Sequence, residues 1–546
     1  MDFKAKIKQE WPSILIVAAA AVARLTLLGM KPPHFDEGVN GWFIDEMKHT
    51  GFYHYDPTNY HGPLHFYILF AMQQLFGRHV WALRLPLALA STGAVWFTLA
   101  FGRFVGKNAA RWAAAAMAVS PGCVFYGRYA IHEYWLVLAL MLCAWGMGGL
   151  WQTGERKYMW ALWSGITLAV LTKETYILHF AAGFLTVLVA WVMGFLTPTA
   201  ERSAQPEQTR KKRPPAQDPW QAFLRENVAR GQWTWRDMGL GALMFVGLVG
   251  LFYSGTFMDM KGLKGLYEAY DAWAKTGSSG NGHEKAWYYW LRLMGIYEWP
   301  SAVGLAVSLM CVLPRTPRFV RGLSIYGCGA LTAYSIIHYK TPWCIVSLTW
   351  PFLLLFGYGL DFAIQRAGKP LSVMAATLLA ANAGDMIYLN YFDYTNPKQL
   401  YVYVQTFKDI NKLMDPLNKL VAKNPANYQL SGNIVVDSYH PLPWLLGDFP
   451  NVGYYDDTNT HLDQDMDADF LLVEEARIDE VESLLKDRYF TAPLTIRDAQ
   501  DPSELYLRAK TFASIFPGRK PEFVPSATPT PAAPATTPAA AGRPSQ

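Results

Sequence analysis

The sequence runs to 546 residues, of which 52% are hydrophobic and 15% aromatic while only 17% are charged, well under the roughly one quarter usual in soluble domains. That balance excludes an ordinary soluble enzyme and points to a chain embedded in membrane lipid. A formal net charge of +5, scattered and without an RNA- or DNA-binding motif, excludes nucleic acid as a partner.

At the N-terminus, "MDFKAKIKQEW" leads into "PSILIVAAAAVARLTLLGM". The A-x-A at Ala21 to Ala23 would suit a signal peptidase, but the apolar run continues through Leu28, so the segment reads as an uncleaved first span. A spanning helix needs about 20 mostly apolar residues. Segments near 12–30, 80–105, 109–126, 133–152, 158–172, 175–196, 237–253, 287–313, 322–338, 342–363 and 370–390 meet that test, giving about eleven crossings of a polytopic α-helical membrane protein. With the N-terminus inside, the cytoplasmic connections "GKNAAR", "QTGERK", "ERSAQPEQTRKKRPPAQDPW", "PRTPRFVR" and "QRAGK" are all basic, as the positive-inside rule requires. The chain is thus expected in the cytoplasmic (inner) membrane.

Between the first two spans, "LHFYILFAMQQLF" at 64–76 is apolar but too short to cross, which suits a re-entrant or interfacial helix. Before it, Val39, Trp42, Phe43 and Met47 fall at helical spacing and predict an amphipathic surface helix. The first outer loop, 31–79, is therefore a structured platform, and the transmembrane domain occupies 1–392. Cys123, Cys143, Cys311, Cys328 and Cys344 all sit in or beside apolar runs without a CxxC, the pattern of core thiols.

After residue 390 the texture changes. "NIVVD" and "ADFLLVEE" read as strands, and 402–423 and "RIDEVESLLKDRY" as helices, which makes 393–520 an extracytoplasmic α/β domain suited to recognising an acceptor or partner. Its stretch "DDTNTHLDQDMDADF" lacks EF-hand spacing and reads as a solvated acidic loop. The Pro/Ala/Thr-rich tail, 521–546, cannot bury a core and reads as disordered.

Ionisable residues at membrane edges tend to be functional. Asp36 and Glu37, Arg128 with His132 and Glu133, Lys173 with Glu174, and His338 with Lys340 all fall at the outer ends of spans. Carboxylates can deprotonate a hydroxyl nucleophile, while Arg and Lys can neutralise a phosphate. A leaving phosphate is already an anion and needs cations more than a general acid, whereas a glycoside hydrolase wants two flanking carboxylates. The histidines of the first outer loop, His34, His49, His54, His61 and His65, could join Asp36 in a divalent metal site or serve with Tyr53, Tyr55 and Tyr60 as interfacial anchors. Lys340 precedes an apolar, aromatic span that would suit an isoprenoid tail, with membrane lipid around it.

The order of "HFDEG", "HGPLHFYILFAMQQLFG", "RLPLAL", "GRYAIHEYW", "LTKET" and "KTPW" before "PFLLLFGYGLD" resembles the C-type glycosyltransferases (GT-C) that use lipid-phosphate sugars. Within these the chain is similar to the protein O-mannosyltransferase and aminoarabinose-transferase group. "YVYVQTFKDI" and "PLPWLLGDFPNVGYYDD" are similar to features of the flippase-activity-associated membrane protein family. The resemblance implies an inverting membrane glycosyltransferase that draws on a polyprenyl-phosphate sugar donor and serves a glycan, lipid or protein acceptor. It places Asp36 on the acceptor with Glu37 beside it, and Glu133 at a second acidic site where relatives often carry Asp. Arg128, Lys173, His338 and Lys340 become ligands of the donor phosphate, and His34, His61, His65, His132 and Glu174 a polar or metal-binding lining. The alternative is a lipid-carrier flippase or a non-catalytic partner of one. A transporter would place charges near mid-membrane and repeat itself internally, whereas here the charges lie at the edge.

Overall fold

A computed structural model describes residues 3–196, 228–278, 283–313, 316–456, 462, 465–498 and 500–525. The basic run Arg210 to Arg213, much of the acidic stretch after Asp456 and nearly all of the C-terminal tail lie outside the described residues. Contacts divide the chain into two compact units, Met1–Thr406 with Pro443–Leu445, and Phe407–Leu442 with Leu446–Gln546. The division falls after Thr406, beyond the expected boundary at 392, because Tyr394, Tyr401 and Val402 are buried in the helical core.

Helices occupy every segment expected to span. They are α1 (Phe3–Leu25), α4 (Val80–Ala100), α6 (Lys107–Val119), α8 (Glu133–Gln152), α9 (Arg156–Thr172), α10 (Tyr176–Leu196), α11 (Trp235–Tyr253), α14 (Trp299–Cys311), α15 (Arg318–Ile336), α16 (Ile345–Ala367) and α17 (Lys369–Ile387). Among the described residues six helices are long and apolar enough to cross a membrane by length and composition. The remainder are shorter or more polar, so those two properties alone do not reproduce the count of eleven. α16 sits in the middle of the unit: every residue from Ile345 to Gly357 is buried, which accounts for its being apolar on all faces.

Two expected spans are interrupted, each for a local reason. The segment 109–126 breaks at Ser120, whose side chain accepts from the Cys123 N–H at 3.1 Å while Pro121 opens the short α7 (Pro121–Tyr126). Proline lacks the N–H that a continuing helix would need. The segment 287–313 breaks between α13 (Tyr289–Ile296) and α14 at Tyr297 and Glu298. Glu298 joins the two breaks: its carboxylate accepts from the Ser120 hydroxyl at 2.5 Å, the Gly122 N–H at 2.7 Å and the Tyr401 hydroxyl at 3.1 Å. Buried backbone freed by one break is thereby satisfied through the other.

Helix ends inside the unit are closed by arginines. Arg24 of α1 donates to the carbonyls of Met117 (2.9 Å) and Ala118 (3.1 Å) at the end of α6. Such carbonyls have no intrahelical partner and need one when water is excluded.

The platform of the first long loop is helical as expected. α2 (Phe35–Thr50) and α3 (Leu64–Phe76) lie between α1 and α4. The face that α2 buries runs through Glu37, Asn40, Gly41, Ile44 and Met47; Trp42, expected on that face, is 42% exposed. α5 (Gly102–Val105) extends α4, and α12 (Lys261–Ser278) follows α11.

The second unit holds a five-stranded sheet of order β2-β1-β3-β5-β4. β1 (Ser431–Val435) pairs in parallel with both β2 (Asn451–Tyr455) and β3 (Phe470–Glu474). β5 (Ser503–Arg508) is antiparallel to β3 and to β4 (Tyr489–Leu494). β3 is buried along its whole length, as a central strand covered on both faces should be. The expected helix 402–423 begins only at a 3-10 turn, Lys408–Ile410, and continues as α18 (Asn411–Lys423). "RIDEVESLLKDRY" shortens to α19 (Ile478–Leu484).

Candidate active site

The adjacent acids of "HFDEG" face opposite environments. Glu37 is 1% exposed. Its oxygens accept from Arg84 Nε (2.8 Å) and Nη2 (2.6 Å), and from the N–H groups of His34 (2.8 Å) and Ala130 (2.7 Å). Burial alone would raise the Glu37 carboxyl; the Arg84 guanidinium outweighs it and holds the group below the ordinary carboxylate range. Glu37 thus ties α2, α4 and the 127–132 loop together, and every one of its bonds is to protein. Its expected catalytic role gives way to a structural one, because a carboxylate with four donors has no lone pair left for substrate.

Asp36 points away, its side chain 37% exposed. The nearest basic group is His34 Nδ1 at 4.0 Å. That nitrogen accepts the Asp36 N–H at 3.1 Å, while Nε2 lies 2.8 Å from the Tyr403 carbonyl. This pattern places a proton on Nε2, which donates to that carbonyl. The ring is wedged edge-on against Tyr129 and Trp343, so His34 braces the start of α2.

A second pair lies at the C-terminal end of α9. Lys173 Nζ is 2.6 Å from Glu133 Oε1, with both side chains buried. Burial opposes the ammonium, yet the Glu133 and Glu174 carboxylates hold it well above the ordinary lysine value. Glu174 in turn lies 2.7 Å from His61 Nδ1. Gly62 makes this possible: its N–H donates to the Thr172 carbonyl at 3.2 Å, and a Cβ there would stand 2.3 Å from the Leu171 carbonyl. Lys173 and Asp36 act on the same two phenols, Tyr60 and Tyr339. Burial, with Asp36 second, pushes Tyr339 up to about 12. The first turn of α2, the loop before α3, the start of α8 and the C-terminal end of α9 therefore bring Asp36, His61, Glu133, Lys173 and Glu174 into one neighbourhood.

The histidines lie ring against ring, tilted. Ring centroids of His61 and His132 are 4.4 Å apart and those of His65 and His132 4.1 Å, with planes tilted 39° and 48°. His65 Nδ1 accepts from the Trp135 indole at 3.1 Å, and burial pushes the ring down to about 3. His61 Nδ1 is taken by Glu174 and His65 Nδ1 by Trp135, and among the described residues no three His, Cys, Asp or Glu side chains are grouped to hold a metal. The expected metal lining therefore does not fit these residues, and no step is routed through a metal.

The expected phosphate cations are already engaged. Arg128 donates to the carbonyls of Ala23 (3.2 Å), Arg24 (3.3 Å), Thr26 (2.6 Å) and Leu27 (3.0 Å), and to the Tyr391 hydroxyl (3.0 Å). It caps α1 and is not a free clamp. Lys340, 2% exposed, donates to the carbonyls of Ile337 and, at 3.2 Å, Lys285; burial pushes its ammonium down. His338 is exposed, and its carbonyl accepts the Lys285 N–H at 3.0 Å. Sequence reasoning passed over Arg84, His283 and Lys285. An arginine inside an apolar run was the available signal for Arg84; the other two lie in a Gly-rich stretch without periodicity.

Residues 60–198 match the family model described as dolichyl-phosphate-mannose-protein mannosyltransferase. Among solved structures, ArnT from Cupriavidus metallidurans aligns over 92% of this chain and 99% of its own, in the apo state at 15% identity and a TM-score of 0.57. Bound to undecaprenyl phosphate, it aligns over the same shares at 16% and 0.55. The Archaeoglobus fulgidus oligosaccharyltransferase, tethered with an acceptor peptide, aligns over 93% of this chain and 77% of its own at 12% identity and a TM-score of 0.52. No curated protein matches. The chain has the GT-C fold. Family match and fold agree with the resemblance read from the sequence, to membrane glycosyltransferases of the protein-mannosyltransferase and ArnT type. In this GT-C chain the acid after the first helix remains partly exposed while its neighbour is built into the platform.

Proposed function

We propose that this multi-pass membrane protein transfers a sugar from a polyprenyl-phosphate carrier to an extracytoplasmic acceptor with inversion, Asp36 acting as general base. One observation carries the reading. Of the four carboxylates here, Glu37 pairs with Arg84, Glu133 with Lys173 and Glu174 with His61 at 2.6–2.7 Å, leaving Asp36 partly exposed with no basic group nearer than His34 Nδ1 at 4.0 Å. An unpaired carboxylate is the one free to take a proton.

In the proposed step the acceptor oxygen attacks the anomeric carbon as its proton passes to Asp36. The bond from that carbon to the phosphate oxygen breaks, its electron pair leaves with the lipid phosphate, and attack opposite the leaving group inverts the centre. The Lys173–Glu133 pair fixes the neighbouring wall. ArnT bound to undecaprenyl phosphate supports the choice of donor class, and the basic connections at the other helix ends support an outward-facing site. In proteoliposomes with a synthetic polyprenyl-phosphate sugar, Asp36→Asn is expected to lower transfer about 10²–10⁴-fold. Undiminished transfer would overturn the assignment.

A further inference from the structure

If Arg128 caps a helix, Lys173 is paired with Glu133 and Lys340 is held by two carbonyls, another cation must meet an anionic leaving group. The segment after α12 supplies one. His283, Glu284 and Lys285 run antiparallel to 338–340: Glu284 bridges to Tyr339, the Lys285 N–H donates to the His338 carbonyl at 3.0 Å, and the Lys340 N–H to the His283 carbonyl at 3.1 Å. This short ladder fixes the direction of each side chain. Lys285 Nζ stands 5.4 Å from the centroid of the Tyr403 ring, and the Tyr403 hydroxyl bonds His283 Nδ1. Tyr403 and His283 both lie within electrostatic reach of Asp36. Among the described residues no carboxylate pairs with the half-buried Lys285 ammonium.

We infer that Lys285, presented by the 283–285 ladder and rested on Tyr403, is the cation that binds the phosphate of the lipid donor. The inference rests on the proposed transferase reading and assigns the phosphate contact to a residue outside the expected set. An ammonium over an aromatic face keeps its charge and its three donors available. Set close to Asp36, it would hold the leaving phosphate within reach of the general base without being neutralised by a protein carboxylate.

The test uses the full chain in phosphatidylcholine nanodiscs, with binding of undecaprenyl phosphate, undecaprenol and phosphatidylglycerol measured separately. Wild type should prefer undecaprenyl phosphate over undecaprenol by about tenfold or more, the scale of one charge-assisted contact. Lys285→Met and Lys285→Gln should both erase most of that preference, and Lys285→Arg should restore it. The donor KM should rise by a similar factor in the uncharged variants while the acceptor KM stays put, which a general loss of folding would not produce. Retention of the phosphate preference in both uncharged variants overturns the role of Lys285 alone. A wild type that does not distinguish the phosphate from the alcohol overturns the donor assignment as well, and phosphatidylglycerol competing as well as undecaprenyl phosphate would reassign the site to bulk anionic lipid.

Discussion

Two sets of charged side chains occupy the helical unit near Asp36, and they obey different rules. Arg24, Arg84, Arg128 and Glu37 are all buried and held by carbonyls, hydroxyls or an opposite charge. Asp36 and Lys285 are partly exposed; among the described residues Asp36 has only His34 Nδ1 near it, at 4.0 Å, and Lys285 pairs with no carboxylate. In apolar surroundings an uncompensated ion is too costly to keep, so the first set is architecture. Charge remains available for chemistry only where water or substrate can reach it.

The contrast breaks most sharply at Arg84. Arg84→Met strands the buried Glu37 carboxylate and should destabilise the protein by about 3–5 kcal/mol, read as a collapse in detergent-extracted yield and thermal stability; a folded, active variant would place Glu37 outside the framework. Asp36→Asn, next to Glu37, should lower transfer about 10²–10⁴-fold yet leave unfolding within about 0.5 kcal/mol of wild type. Between these lies Gly62→Ala, whose Cβ would meet the Leu171 carbonyl at 2.3 Å. The backbone must shift, with an expected loss of about 1–3 kcal/mol and of activity, since His61 leaves Glu174; unchanged melting and transfer would mean the loop is not so anchored.

The smallest effect sharpens the rule. Glu174 is driven up by burial but more strongly down by His61 and Lys173, so its folded value lies below the ordinary 4.5. A lowered carboxylate contributes stability that is fully present above its unfolded value and lost as pH falls through its folded one. Acidification below about 4.5 should therefore weaken wild type more than Glu174→Gln, measured as melting temperature against pH. Parallel curves would show that the His61–Glu174 contact carries no net energy.

Much of the helical framework was legible because apolar length is a local property: each expected span contains a helix. The interruptions at Ser120 and Glu298 were not, since a Pro-Gly or a Glu-Trp-Pro inside an apolar run becomes a break only when another element satisfies the freed backbone, here through one carboxylate shared by both. In the second unit, "NIVVD" and "ADFLLVEE" were visible as strands, and the sheet places both inside it. β2, β4 and β5 contain Gly453, Pro493 and Glu504 and draw their stability from pairing that no local pattern encodes.

Sequence by itself determined that this chain lives in lipid, where its helices fall and that acids and bases gather at their ends, because hydropathy and charge act over short distances. Tertiary structure alone decided what each charge does. Asp36 and Glu37 are neighbours with the same chemistry, separated in role by an arginine 47 residues away, and three expected phosphate ligands proved to be a helix cap, a buried ion pair and a lysine held by carbonyls. Pairing depends on distance in space and on the local dielectric, and neither is written in the order of residues.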